Sequence, residues 1–575
     1  MAYRGFFYFK FNDNFCFAFI DFAFGLCYNV SVKLRSVERL KGTLLMLDLL
    51  IKNARIIDGT GAPAYLGAVG VKDGRIVMAH GTEDAAEVID AAGRCLVPGF
   101  IDSHSHSDLM IGSYDSHIFK TNQGITTEVV GQCGLSVAPI DPKSLKDVQE
   151  RLTSGTTFFH DDMVNWTTFA HYLEYADTLP KTTNIKSYVG HSSLRIAAMG
   201  LENRPATALE LDRMKGMLRE AMQAGAAGFS TGLIYTPSCY ATDEEIVELA
   251  KVAAEYDGIY ASHMRDESNL VVESVKETIN VGRLSGARVC ISHHKMLGKQ
   301  NWGRQKETLS LINEANAEGV SVICDQYPYT RNMTSLNACM PPWHFSEGHA
   351  TVTERLKDKS FRAKMRAEIE DPNTPYDNYF LNAGGFGGIY VYTAENTPNA
   401  EGMFISEYAE KYGIDPWDAL FDICADSNYS AGAVYSSMCD EDVCEIIKSP
   451  YAIVGTDGFT RTLTEKGHPR TTATFPHAIN YFVKEKKILT LEEMIRKMTG
   501  LSADYLRIPN KGVIKDGYDA DLVLFDYNSL QDTATYDNSN SLTEGIDYVI
   551  VGGEIVYHNK ELTGRYPGKM LRHSR

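Results

Sequence analysis

The sequence lacks the features of disulfide-stabilised, membrane-spanning and nucleic-acid-binding proteins. Its 11 cysteines include no Cys-x-x-Cys pair, and an odd, unspaced set of thiols is typical of a reduced cytosolic protein. No apolar run reaches the roughly 18 residues that a transmembrane helix needs. Positive charge is also scarce, since 56 Lys and Arg stand against 74 Asp and Glu, which excludes broad contact with phosphate backbones or anionic membranes. We therefore expect a cytoplasmic protein that binds neither nucleic acid nor a membrane.

The first 45 of the 575 residues differ in composition from the rest. They contain nine of the 25 phenylalanines and follow neither a helical nor a strand period. They also lack the basic start and clean apolar run of a signal peptide. Met46 opens a more ordinary segment. We therefore expect residues 1–45 to be a foreign extension that is not part of the fold.

Short β-type runs separated by glycine-containing turns occur towards both ends of the remaining chain. They fill residues 46–98 and return within residues 506–575. Runs of this kind predict a small antiparallel sheet with glycine turns. We expect the two segments to form one small β-sandwich domain, built from both termini.

Eight short apolar runs, several of them followed by a helix-like segment, occupy the middle of the chain. The runs cover residues 95–106, 126–134, 185–191, 226–235, 258–265, 288–295, 320–330 and 451–458. Helix-like segments include residues 209–224, 243–256, 270–285 and 305–318. Buried strands that alternate with helices imply parallel strands joined by crossovers, and eight of them imply an α/β fold of the (β/α)8 TIM-barrel type. We expect this barrel to span residues 99–505, with an inserted subdomain at about 335–450 between strands 7 and 8.

Histidines collect at the carboxyl ends of these runs, where barrel active sites form. His104 and His106 lie two residues apart, so on a strand both would point to the same face and could hold one metal ion. His263, His293 and Asp457 also end apolar runs. Burying a cluster of such groups costs free energy unless a cation binds between them. The sequence therefore favours a metal site over packed polar side chains.

Cys133 follows the second run and lies between Gly131 and Gly134. A lone cysteine is usually a small core residue, but we expect the flanking glycines to open space around this sulfur, whose thiolate would be a good zinc ligand. Asp457 near a metal would stay ionised and could act as a general base, with a helix-cap role as the alternative.

Three further residues near the strand ends have less certain roles. Alternation along residues 292–295 sends His293 and Lys295 to one face and His294 to the other. Lys295 would then serve as a cationic clamp for a substrate carboxylate, and His294 as a packed or supporting histidine behind the ligands. His191 could join the site, support it from behind, or be structural.

From about residue 49 to residue 569, the chain resembles the D-aminoacylases (N-acyl-D-amino-acid deacylases) of the amidohydrolase superfamily. The resemblance rests on seven motifs: Asp102-Ser-His-Ser-His, Val130-Gly-Gln-Cys-Gly-Leu-Ser, Val189-Gly-His-Ser-Ser-Leu-Arg, Gly232-Leu-Ile-Tyr-Thr-Pro, Ser292-His-His-Lys, Tyr327-Pro-Tyr and His468-Pro-Arg. It implies a TIM-like barrel with a two-part β-sandwich. It also implies one tightly bound zinc on Cys133, His263 and His293, a second zinc position on His104, His106 and Asp457, and substrate contacts by Lys295, Tyr235, Tyr327 and Arg470.

The implied activity is the hydrolysis of N-acyl-D-amino acids, small-molecule substrates, to a carboxylate and a free D-amino acid, with Asp457 as general base. A cyclic-amide hydrolase or an isoaspartyl-dipeptidase-like enzyme is the alternative, and a catalytically inactive relative is a remote one. Two departures from the family pattern, Arg331 and the segment Ala473-Thr-Phe-Pro-His, leave the preferred side chain open. The oligomeric state is open as well.

Overall fold

The computed structural model describes residues 4–11, 14–21, 46–108, 110–153, 166–459 and 461–574, which fall into two units, Met1–Leu45 and Met46–Arg575. The first unit contains two antiparallel strands, β1 (Arg4–Phe11) and β2 (Asn14–Asp21). The sequence had indicated no strand period there, but aromatic residues favour strands even without clean alternation. That residues 1–45 lie outside the fold stays a prediction, and the rest of this description concerns the second unit.

The second unit begins with five strands of one sheet. They are β3 (Leu47–Ile56), β4 (Tyr65–Lys72), β5 (Arg75–Ala79), β6 (Ala85–Asp90) and β7 (Cys95–Pro98). β3 pairs with β4, and β4 with β5, in antiparallel fashion, but β6 and β7 both pair with β3 in parallel. The expectation of a purely antiparallel sheet was therefore wrong. β3 is long enough to hold β6 along residues 47–52 and β7 along residues 55–56 of the same edge.

Seven of the eight predicted runs contain the parallel strands that precede residue 330. The strands are β8 (Phe100–Asp102), β9 (Ser105–His106), β10 (Ile125–Val130), β11 (Asn184–Ser187), β12 (Val189–Gly190), β13 (Gly228–Gly232), β14 (Ile259–His263), β15 (Arg288–Ile291) and β16 (Val322–Gln326). β8, β10 and β11 form one parallel sheet, and β12 to β16 form a second that ends on a later strand. The first predicted run is divided, because its start is β7 of the terminal sheet.

The long gap after β16 holds a separate antiparallel sheet before the parallel pattern resumes. Its strands are β17 (Asn332–Ser335), β18 (Ile389–Thr393), β19 (Met403–Phe404) and β20 (Gly432–Tyr435). The order is β17-β20-β18-β19, and every ladder is antiparallel. This inserted sheet packs Met333, Tyr390, Tyr392 and Val434 into a small apolar cluster of its own.

Two short strands then complete the parallel pairings. β21 (Ala452–Val454) pairs with β16, and β22 (Gly458–Phe459) pairs in parallel with β9. The continuations of the first and the last parallel strand are therefore hydrogen-bonded to each other.

The chain finally returns to the terminal sheet. The last strands are β23 (Leu522–Phe525), β24 (Ile546–Val551), β25 (Glu554–His558) and β26 (Glu561–Leu562). β23 pairs antiparallel with β7, so strands from both segments of the chain lie in one nine-stranded sheet.

Helices connect the strands and cover the apolar core. Their bounds are α1 (Tyr114–Thr121), α2 (Leu145–Thr153), α3 (Phe169–Thr178), α4 (His191–Met199), α5 (Ala208–Ala224), α6 (Asp243–Ala254), α7 (Val271–Ser285), α8 (Gln305–Ala317), α9 (His349–Arg355), α10 (Lys359–Glu370), α11 (Tyr379–Asn382), α12 (Ile405–Tyr412), α13 (Pro416–Asp426), α14 (Asp440–Lys448), α15 (Arg470–Ala478), α16 (Leu491–Met498) and α17 (Gly500–Tyr505).

The sequence accounts for the ends of these helices. α5, for example, begins at a capping box formed by Thr207 and Glu210 and ends where Gly225 takes a left-handed conformation. Its buried face carries Met214 and Leu218 at helical spacing. Within the described residues, no helix combines the length and the apolar character needed to span a bilayer.

Candidate active site

A cavity of about 460 Å³ lies where β14, β15 and their neighbours end. Of the predicted site residues it is lined by His106, Cys133, Tyr235, His263, His293, Lys295, Tyr327 and Asp457. Two residues that the sequence did not single out, Glu267 and Arg151, line it as well, together with Asn332, Met333 and Thr334 of the inserted sheet.

Four buried donor groups converge in this cavity. One ligand atom from each of His104, Cys133, His293 and Asp457 lies within 4.8 Å of all the others. The Cys133 Sγ is 3.3 Å from the His104 Nε2 and 3.4 Å from the His293 Nε2. The His293 Nε2 is also 2.9 Å from the Nδ1 of His263, and His263, His293 and Glu267 form a second group of the same kind. The structure therefore brings together residues that are distant in sequence but end neighbouring strands.

His104 and His106 both reach Asp457, but not by simple strand alternation. The chain bends at His104, between β8 and β9, and only His106 lies in a strand. The Nε2 atoms of His104 and His106 are 3.5 and 3.3 Å from the same carboxylate oxygen of Asp457. The Asp457 backbone N–H donates to the His104 carbonyl oxygen at 2.8 Å. This hydrogen bond fixes the backbone after β21 against the backbone after β8.

Three of the converging residues adopt a left-handed backbone conformation that residues other than glycine rarely take. The φ angles of Cys133, His293 and Asp457 are 53°, 37° and 47°. Such conformations cost of the order of 1–3 kcal/mol each and cluster at functional sites, where the surrounding structure enforces them. The backbone here turns sharply after each strand and so aims the side chain into the cavity.

The glycines beside Cys133 are needed for close backbone approach, not to open space around the sulfur as the sequence had suggested. A Cβ on Gly131, whose φ is +75°, would lie 2.2 Å from the carbonyl oxygen of Tyr188. A Cβ on Gly134 would lie 2.8 Å from the backbone nitrogen of Gly232. The loop that carries Cys133 is therefore pressed against the following strands.

Burial is the main influence on the protonation of most of the predicted ligands. It raises the pKa of the Cys133 thiol, and it lowers the pKa values of His263 and His293 well below their usual range. It also lowers the pKa of His106 to about 4. Neutral imidazoles are the form that binds a metal, and a cation between these groups would favour the thiolate.

Asp325, at the end of β16, is a supporting residue that the sequence analysis missed. Its Oδ1 is 3.1 Å from the His104 Nδ1 and accepts the His293 backbone N–H at 2.7 Å. Although burial alone would lower the pKa of His104, the charge of Asp325, followed by those of Cys133 and Asp457, raises it well above its usual range. The available signal was a single acidic residue directly after the apolar residues 322–324.

Glu267 was also missed, and it changes the role of Lys295. The Lys295 ammonium donates to Glu267 Oε1 at 2.5 Å and lies 2.6 Å from the His293 Nδ1. Glu267 Oε1 is in turn 3.0 Å from the same His293 nitrogen. Lys295 lines the cavity as expected, but its charge is already paired. It therefore orients His293 in addition to any contact with substrate.

Arg470, which the resemblance implied as a substrate contact, pairs with the predicted general base. It is fully buried, its Nη1 pairs with Asp457 Oδ2 at 2.8 Å, and its Nη2 donates to the carbonyl oxygen of Met333. Burial alone would raise the pKa of Asp457, but Arg470 above all, with His293 and His104, lowers it well below its usual range. In this structure Arg470 therefore holds Asp457 ionised.

Both predicted tyrosines line the cavity. The Tyr235 hydroxyl is 2.8 Å from the Thr334 Oγ1 and its ring centroid is 5.1 Å from that of His263. The ring of Tyr327 lies 4.8 Å from the Arg470 guanidinium carbon.

Neither of the two supporting histidines contacts the ligand side chains directly. The His191 Nε2 is 2.8 Å from Glu245 Oε1, and its Nδ1 is 3.0 Å from the Ser238 Oγ. His191 thus belongs to a buried network under the loop after β13. The His294 side chain contacts Thr308, while its backbone N–H donates to the carbonyl oxygen of Asp325, so only His294 has a link to the residues behind the ligands.

The two departures from the family pattern lie outside the cavity. The Arg331 guanidinium stacks 4.5 Å from the Tyr536 ring centroid. His477 stacks 4.5 Å from the ring of Tyr329 and pairs with Asp532. Neither side chain lines the cavity. The choice of substrate therefore depends on the side chains that do line it.

Comparison with known proteins agrees with this arrangement. The model of the amidohydrolase family matches residues 87–310 and 405–557. An N-acyl-D-aspartate deacylase of Alcaligenes xylosoxydans xylosoxydans is 33% identical over 530 residues, which cover 91% of this chain and 95% of the relative. A solved N-acyl-D-glutamate deacylase of Bordetella bronchiseptica, complexed with zinc and a phosphonate mimic of the tetrahedral intermediate, is 34% identical with a TM-score of 0.77.

A solved D-aminoacylase, described with a binuclear metal centre, is 32% identical with a TM-score of 0.77. Each of the two solved structures is covered completely and covers 92% of this chain. Similarity of this extent includes both the parallel strands and the terminal sheet. The chain belongs to the amidohydrolase family and, within it, to the D-aminoacylases.

Proposed function

We propose that this protein is a zinc-dependent enzyme that hydrolyses the amide bond of N-acyl-D-amino acids to a carboxylate and a free D-amino acid. The observation that carries the proposal is the convergence of a thiol, imidazoles and a carboxylate within 4.8 Å in a buried cavity. The similarity to deacylases over nine-tenths of the chain supports the choice of substrate class.

The donor set fits zinc. Cysteine sulfur and histidine nitrogen are preferred zinc ligands, and the Nε2 of His263 is buried without a hydrogen-bond partner. Cys133, His263 and His293 would hold one ion tightly, and His104, His106 and Asp457 would hold a second. When bound, zinc activates water at neutral pH and polarises the amide carbonyl.

Asp457 is the residue that moves the proton. Its Oδ2 is held by Arg470, while its Oδ1 faces the histidines and the cavity. Because Arg470 keeps the carboxylate ionised, Oδ1 can accept the proton of the attacking water and then pass it to the leaving nitrogen. Arg470 also prevents the carboxylate from rotating away between these two transfers.

Lys295, Tyr235 and Tyr327 line the same cavity and are placed to contact the bound substrate. Lys295 shares its charge with Glu267, so a substrate carboxylate would compete with that partner. Arg470 lies behind Asp457, so its contribution to the reaction is chiefly to orient that residue.

The overall architecture forms part of the proposal. The parallel ladder between β9 and β22 joins the first and last strands, which supports a closed (β/α)8 barrel with the site at its carboxyl end. The cysteines in the described part of the chain are all free thiols, which supports a cytoplasmic location.

The test is a parallel assay of zinc-loaded protein on N-acetyl-D- and N-acetyl-L-amino acids carrying Met, Leu, Glu and Asp. We expect amine release from the D substrates only, lost on chelation and restored by zinc. An Asp457→Asn variant should lower kcat by roughly 10²–10⁴-fold.

The control is Asp442→Asn, at a buried aspartate of α14 that accepts the Gly303 backbone N–H outside the site; it should retain activity. Equal release from both enantiomers, or near-normal turnover of the Asp457→Asn variant with bound zinc, would contradict the proposal.

A further inference from the structure

A second and larger cavity adjoins the proposed active site. It measures about 1160 Å³ with the space open to solvent included, against about 460 Å³ for the metal cavity. Arg151, Tyr235 and Tyr379 line both cavities. These three side chains therefore form a shared wall, and a molecule in the metal cavity would extend into the larger one by passing them.

The walls of the larger cavity are mainly aromatic and aliphatic. They include Tyr240, Met340, Trp343, Phe345 and Tyr376. The charged residues around it are mostly paired within the protein. An acetyl group would leave almost all of this volume empty, whereas an aromatic ring would bury a large apolar area against it.

Three of the charged residues have their own partners. Glu150 accepts the backbone N–H of His349 at 3.1 Å, and Arg265 pairs with Glu277 at 2.9 Å. Asp377 accepts the backbone N–H of Glu267. Arg265 is thus in an ion pair, and the two carboxylates are hydrogen-bonded to the backbone.

Arg151 is different. Its guanidinium carbon lies 4.6 Å from the Tyr235 ring centroid, its Nη2 makes a long bond of 3.4 Å to the Cys133 carbonyl oxygen, and its Nε is buried without a hydrogen-bond partner. In the part of the chain that the structure describes, no carboxylate forms an ion pair with it. One face of Tyr235 is thus covered by a guanidinium that is free to stack on a second ring.

The position of Asp457 decides which half of the substrate faces this wall. Asp457 must reach the leaving nitrogen, so the amino-acid half lies on the side of Asp457 and Arg470. Arg151 contacts the Cys133 backbone and Tyr235 packs on His263, so the shared wall lies beside these two ligands, whereas Arg470 lies against Asp457. The acyl half therefore points towards the larger cavity.

We propose that the larger cavity binds the acyl group of the substrate, and that the enzyme prefers N-arylacyl-D-amino acids, such as phenylacetyl derivatives, over N-acetyl ones. This inference rests on the proposed deacylase function and specifies its substrate class. Arg151 would stack on the aryl ring at the passage between the two cavities.

The experiment compares kcat/KM of the zinc-loaded enzyme for N-acetyl-, N-hexanoyl- and N-phenylacetyl-D-methionine. We expect the phenylacetyl substrate to exceed the acetyl one by roughly tenfold or more, because the ring buries apolar area. Ala338→Phe, at a half-buried alanine that lines only the larger cavity, should lower the phenylacetyl-to-acetyl ratio by roughly tenfold. Arg151→Met should lower the phenylacetyl-to-hexanoyl ratio by about threefold or more.

The matched control is Ala425→Phe, at a half-buried alanine of α13 that lines neither cavity, and it should leave both ratios unchanged. Hydrolysis of the acetyl substrate with no gain from the ring, or ratios that Ala338→Phe does not move, would overturn this inference and leave the deacylase proposal standing. Failure of the zinc-loaded enzyme on all three substrates would overturn both.

Discussion

Replacing Asp325 by asparagine tests how the structure prepares His104 to bind a metal. In the native site one carboxylate accepts two hydrogens, from the His104 Nδ1 at 3.1 Å and from the His293 backbone nitrogen at 2.7 Å. An Nδ1–H held in this way leaves the Nε2 lone pair of His104 free for a metal. Asparagine has nearly the same shape but only one acceptor oxygen.

Both hydrogen bonds end on Oδ1, while Oδ2 lies 3.3 Å from the same His104 nitrogen and accepts the Cys290 thiol. If the amide oxygen replaces Oδ1, the NH2 group takes the place of Oδ2 and opposes the His104 Nδ1–H, and the negative charge beside His104 is lost. If the amide oxygen replaces Oδ2, the NH2 group opposes the His293 N–H. An unsatisfied buried donor costs about 1–3 kcal/mol, so we expect zinc affinity to fall by roughly 10–100-fold.

The assay is zinc occupancy in competition with a chelator of known affinity, which needs no turnover. Thermal unfolding of the zinc-free protein checks that the variant is folded. Asp442→Asn serves as control, because that carboxylate accepts the Gly303 backbone N–H, away from the metal ligands. An Asp325→Asn protein that binds zinc within threefold of the wild type would refute the reasoning.

Two further predictions concern stability. Burial would raise the pKa of Glu245, but His191 and Arg195 lower it from 4.5 to about 2. Its carboxylate therefore stabilises the fold above about pH 4.5 and loses that effect as the pH falls towards 2. Glu245→Gln should lower the free energy of unfolding at pH 7 by about 3 kcal/mol and flatten its decline below pH 4.5 in denaturant titrations; an unchanged acid limb would contradict this. Gly131→Ala should lower the free energy of unfolding by about 3 kcal/mol in the same assay, because its Cβ would meet the Tyr188 carbonyl oxygen at a left-handed φ. Gly93→Ala is the control: its φ is also positive but the space around it is open, so it should lower the free energy of unfolding distinctly less.

The parallel strands and the donor residues were accessible from the sequence because both leave local signals. An apolar run that ends in a polar residue marks a buried strand and its carboxyl end, and β14 with His263 follows that pattern. The sequence analysis grouped His104 and His106 with Asp457, and the Nε2 atoms of both lie near its Oδ1, although the chain bends at His104 and does not alternate as a strand would. A pattern can thus identify a site while its assumed local geometry is wrong.

The supporting contacts were not accessible, because they depend on which strands become neighbours. Nothing near Arg470 in the sequence indicates that its guanidinium pairs with Asp457. The pairing of Lys295 with Glu267 joins the ends of β14 and β15, and the contact of Asp325 with His104 crosses from β16 to the loop after β8. The parallel pairing of β6 and β7 with β3 likewise depends on the length of β3 and on which strands reach its free edge, not on residue type.

The nine-stranded terminal sheet has a consequence for biosynthesis. β7, whose Pro98 lies opposite Leu522 of β23, is translated early, but its partner strand leaves the ribosome only after almost the whole chain has been made. Until then the nascent protein presents an unpaired strand edge directly before the segment that carries His104, and such edges invite association with other chains. Contacts between residues so far apart in sequence also slow folding. We therefore expect heterologous production to benefit from slower translation or added chaperone more than from any change at the active site.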